Sequence, residues 1–173
     1  MKLKGKRMFS GVSRYHKFDI ASAQLEMAIR LFLLDGGDKF SALTLAGAAG
    51  AILHQLVLDV GKEPFVDYTA KVFEWKNPGD RPSRSRVMSH IYRLLSINAV
   101  KHHDEGQDQF VEFDAEESAL AAILKAMADY KTFTGGQTDS MKGLYTWVYL
   151  NTEKDDADAL MKQYDALPEK LKQ

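Results

Sequence analysis

The chain has 173 residues, is 45% hydrophobic and 27% charged, and carries a formal net charge of −1 with no cysteine. That is the length of one ordinary domain, and a core of this size needs no covalent staple. Without cysteine there can be no disulfide, thiolate nucleophile or Cys-based zinc site, and with no apolar signal core behind the basic N-terminus the expected location is cytoplasmic.

Residues 1–16 carry Lys2, Lys4, Lys6, Arg7 and Arg14 and no acid, and read as a basic tail ahead of a helical domain over 17–173. A first helix is expected over about 19–34, its core row being Ile20, Met27, Leu31 and Leu34 with Leu25 and Ala28 beside it. After Gly36 and Gly37, Asp38 or Ser41 can cap a second helix that runs to Val60 and stops at Gly61. This helix is apolar all round, so it is expected as the buried centre, antiparallel to the first. Its run 42–58 is at the lower limit for a membrane span and is broken by Thr44, His54 and Gln55.

Pro64 breaks the chain, a short helix follows over about 66–75, and 77–80 is a turn. A fourth helix is expected from Pro82 or Ser83 to His102, then a polar loop and a short extended stretch at 110–113. Asp114 with Glu117 resembles a capping box for a fifth helix reaching Phe133, closed by Gly135 and Gly136. Two more helices are expected over about 139–150 and 155–167. The whole predicts an all-α bundle of about six to seven helices around one buried central helix.

Charge is divided along the chain. Residues 1–103 hold 16 Lys/Arg against 9 Asp/Glu, and residues 104–173 hold 7 against 15. A basic and an acidic half suit a polarised surface or self-association, or simply neutralise each other in the fold.

The fourth helix carries most of the candidate chemistry. From 81 to 103 there are five Lys/Arg, three His and no acid. Arg86, His90 and Arg93 share a helical face with Lys101 near it, a cationic row suited to phosphates or other anions. The adjacent row of Val87, Ile91 and Leu94 continues to Asn98 and His102, two polar residues where apolar ones are expected. An inward polar group must find a partner or costs about 1–3 kcal/mol, so the pair marks either a catalytic or ligand site or a capped helix end. His54 on the central helix is a core histidine or a third group facing His102. No Glu-x-x-His, His-Glu-x-x-His, phosphate-loop or Gly-x-Ser-x-Gly pattern occurs, so neither a metal nor a cofactor is expected.

The runs 24–32, 42–49 and 52–53, the Asn98, Lys101, His102, Asp104 spacing and the stretch 111–114 resemble a group of small uncharacterised bacterial all-helical proteins with an Asn-x-x-Lys-His-x-Asp signature. At a greater distance the layout is similar to HEPN domains, helical bundles that are often dimeric and often cleave RNA through an Arg-x(4–6)-His motif. That resemblance implies His102 as the motif histidine and Asn98 as the polar residue before it. Eight residues separate Arg93 from His102, a longer spacer than the motif has.

The sequence is compatible with three functions. The first is a helical binding module, self-associating as a homodimer. The second is an HEPN-like RNA-binding or ribonuclease-related protein, with Arg86, His90, Arg93 and Lys101 on phosphates and His102 as general acid or base. The third is a small-ligand, nucleotide or metal site between helices, lined by His54, Asn98 and His102.

Overall fold

A computed structural model describes residues 11–34, 37–101, 106 and 108–172. They form α1 (Lys17–Leu33), α2 (Lys39–Asp59), α3 (Phe65–Lys76), α4 (Arg84–Leu94), α5 (Ala115–Thr134), α6 (Asp139–Asn151) and α7 (Lys154–Asp165), with a closing 3-10 turn at Glu169–Leu171. There is no strand among the described residues, so the protein is an all-α bundle. The first ten residues of the basic tail lie outside them.

Asp38, Asp114, Gly61 and Gly135 start or stop their helices where the sequence places them. The Asp38 carboxylate accepts the Ser41 N–H at 3.0 Å and also accepts a hydrogen bond from the Ser41 hydroxyl. These bonds favour the charged form and hold Asp38 below the usual carboxylate range. Asp114 accepts the N–H groups of Glu116 and Glu117, each at 2.9 Å. Gly61 and Gly135 end α2 and α5 in the left-handed region, at φ of 71° and 78°.

Helix α2 lies between α1 and α5 and packs along both. Its buried residues include Ala42, Leu43, Ala46, Ala49, Leu53 and Val57. α5 offers Ala119, Ala122, Ile123, Ala126 and Met127. Alternating small and branched side chains lets the three backbones approach closely, and each buried Leu or Ile contributes roughly 1.5–3 kcal/mol. α2 is long and apolar enough to cross a membrane, and half of its most apolar stretch is buried within the protein.

Two packing rows differ from the sequence reading. On α1 the buried row is Ala21, Leu25, Ala28, Ile29 and Phe32, whereas Ile20, Met27 and Leu34 are exposed. The alanine-bearing stripe admits α2 more closely than the larger row would. On α4 only Val87 is buried and Leu94 is exposed.

The fourth helix also stops eight residues early. Ser96 adopts a left-handed φ of 52°. The Ser96 N–H bonds Arg93 O at 3.1 Å and the Ile97 N–H bonds Tyr92 O at 3.1 Å, the two closing bonds of a Schellman turn. The reversal sends Leu95 and Ile97 into the core against α2. Gly47 makes room for it, since a methyl group there would come within 2.8 Å of Ile97 Cγ2.

Candidate functional site

Two charged groupings flank α3, one inside the protein and one on its surface. The inner one joins α2, α3 and α5. Lys125 and Asp129, one turn apart on α5, form an ion pair at 3.3 Å in which both side chains are buried. The second carboxylate oxygen of Asp129 accepts the Phe65 N–H at 2.7 Å. Pro64, which begins α3, offers no side-chain cap, so Asp129 caps that helix from across the core. In return Lys62 donates to Thr132 O at 2.8 Å and Phe133 O at 3.3 Å, satisfying carbonyls at the end of α5.

His54 belongs to this inner group. It is 8% exposed, and its Nδ1 has no hydrogen-bond partner among the described residues. Burial pushes its pKa below the usual imidazole value, with nearby Asp129 opposing and Lys125 reinforcing that shift. Burial thus favours the neutral ring. Tyr92 is raised in pKa by burial first and by Asp129 second.

The outer grouping is a groove between α3 and α4. The Ser83 hydroxyl accepts the Arg86 N–H at 3.3 Å and starts α4. The Arg84 guanidinium bonds both oxygens of Asp67, at 2.7 and 2.6 Å, tying α4 to α3 and holding Asp67 below its ordinary range. Between the helices runs a groove of about 450 Å³. Phe73, Pro82 and Val87 line it together with Arg86, His90 and Arg93. Pro82 and Val87 are buried and the three basic residues are exposed, which gives an apolar floor and a cationic rim. The Arg93 guanidinium also lies 3.4 Å from His90 Nδ1. Arg86 is loosely paired, 3.9 Å from Asp80.

The other side of α4 is different in charge. A second groove of about 530 Å³ shares His90 and Arg93 but adds Glu112, Asp114 and Glu117. Those carboxylates repel an anion, so the α3 side is the one an anionic partner can use.

Of the expected row, Arg86, His90 and Arg93 line one groove, and Lys101 is parted from them. Lys101 lies beyond the Ser96 reversal, and its ammonium sits over α2, where a methyl at Gly47 would come within 3.1 Å. Partial burial lowers its pKa. Asn98 does not extend the apolar stripe of α4, because the helix has already ended. It is exposed and lines a shallow recess with Tyr92, Ser96 and Arg93. His54 does not line that recess. His102, with its proposed catalytic and ligand roles, lies outside the described residues. Among the described residues no three His, Asp or Glu side chains gather as a metal site.

Sequence reasoning missed Lys125 and Asp129, because nothing local distinguishes a buried i,i+4 pair from a surface one. It also missed Phe73 and Pro82. Their role depends on α3 packing beside α4, which no local pattern signals. No protein-family model, curated protein or solved structure matches the chain.

Proposed function

We propose that the chain is a helical binding module whose contact surface is the α3–α4 groove, and that the groove takes an acidic amphipathic helix of a protein partner. The carrying observation is the combination of an apolar floor with a one-sided cationic rim: Phe73, Pro82 and Val87 below Arg86, His90 and Arg93. An amphipathic helix sets apolar side chains into such a floor and its carboxylates against the rim. A phosphate backbone would use the rim but leave the floor unfilled.

Fluorescence anisotropy tests this with a labelled synthetic helix of unrelated sequence, with Leu or Met at i, i+3 and i+4 flanked by Asp. The wild-type chain is expected to bind it, and Arg86→Ala with Arg93→Ala to weaken binding roughly tenfold or more, as loss of interfacial arginines does. Equal binding by the variant would rule the groove out. Preferential binding of single-stranded RNA by the same row, with affinity falling steeply as salt rises, would replace the peptide reading with the nucleic-acid one.

A further inference from the structure

We propose that the helix seated in this groove is α7 of a second copy of the chain, the two copies exchanging α7 contacts reciprocally as a two-fold dimer. This rests on the reading of the groove as a site for an acidic helix, and it names the occupant.

Helix α7 has no buried residue. Leu160 and Met161 are 61% and 58% exposed, and Tyr164 is exposed beside them. A 12-residue helix is marginal in water without a partner for its apolar face. At 3.6 residues per turn, Ala157, Leu160, Met161 and Tyr164 form one stripe. Asp156 flanks the stripe on one side, and Asp158 and Asp165, with Lys154 among them, flank it on the other.

The groove is the counterpart of that pattern in charge and in length. Three carboxylates against one lysine border the stripe, and Arg86 and Arg93, with His90 between them, border the floor. The stripe runs from 157 to 164 and the rim from 86 to 93, each rising roughly 10 Å along its helix at 1.5 Å per residue. Next to α7, Tyr149 and Leu150 at the end of α6 are also largely exposed and extend the apolar surface.

No unfolding is needed for the exchange. Each α7 stays on its own body, because the Tyr68 hydroxyl donates to Leu171 O at 2.8 Å just beyond it. Each copy carries both a stripe and a groove, so one two-fold axis closes both contacts and leaves none open for a chain of copies.

Sedimentation of the full chain tests the proposal. The wild type is expected as a dimer that dissociates as NaCl is raised. Arg86→Glu with Arg93→Glu in one variant, and Asp156→Lys with Asp158→Lys in another, are each expected to give the mass of one chain. An equimolar mixture of the two should recover the dimer, because each reversed groove then meets a reversed helix. Leu160→Ser with Met161→Ser, which keeps every charge, should also abolish it. A wild type that stays monomeric, or a dimer indifferent to both salt and the Leu160 and Met161 changes, overturns the proposal. If the wild type is monomeric while the synthetic acidic helix still binds, only the identity of the occupant fails. If neither binds, the groove reading fails with it.

Discussion

Charge is used in opposite ways on the two sides of α3. At the α2–α5 contact, Lys125 and Asp129 are buried, matched one to one, and tied to a backbone N–H of α3. At the α3–α4 groove, Arg86, His90 and Arg93 stand exposed, Arg86 in loose contact with Asp80 and Arg93 with His90. A buried pair in good geometry resists rearrangement, since removing either member strands the other in the core. An exposed, unbalanced row contributes little to folding and keeps its field for something outside the molecule. The contrast separates residues that hold the bundle from residues proposed to meet a partner.

The sharpest way to break this contrast is at Asp129. Asp129→Ala leaves Lys125 uncompensated and the Phe65 N–H without an acceptor, and is expected to lower stability by about 3–5 kcal/mol in urea unfolding. Replacing both members, Lys125→Met with Asp129→Leu, should recover part of that and leave the unpaired N–H as the residue of the loss. A single-variant loss under about 1 kcal/mol would make the pair no different from a surface one.

A smaller effect is expected at His54. Its folded pKa lies below the unfolded value near 6.5, so the unfolded chain takes up the proton first as pH falls. The stability contributed by the neutral ring is complete above that unfolded value and is lost progressively below it. The midpoint of urea unfolding should therefore fall between pH 7.5 and 5.5 more steeply for the wild type than for His54→Gln. Parallel slopes would show that the ring is not protected from protonation.

The smallest effect is expected at Ser96, whose left-handed φ of 52° suits glycine better than serine. Ser96→Gly should raise stability by about 0.5–1 kcal/mol while leaving peptide binding unchanged. A loss of stability would mean that the serine side chain supports the reversal.

Much of the bundle was legible because its punctuation is local. Asp38, Asp114, Gly61 and Gly135 act within one turn of themselves, so reading them requires no knowledge of the rest of the fold. The end of α4 was not legible because the left-handed position is held by a serine, without the glycine that usually marks it. That one substitution for the usual terminator carried the expected helix through to Asn98 and His102. The rim of the groove was readable, since Arg86, His90 and Arg93 repeat with the helical period. Its floor was not, because Phe73 comes from another helix. Asp129 was hidden for the same reason: its partner N–H, on Phe65, is 64 residues away.

The bond from Asp129 to Phe65 has a consequence beyond stability. It fixes the first turn of α3 to the core, and α3 forms one wall of the groove. The wall is therefore set in place during folding, before any visitor arrives, and the entropic penalty of shaping it is absent from the binding step. Under the proposed function, capture would depend on how often an oppositely charged helix arrives in the right orientation, which steering by the rim increases and added salt suppresses.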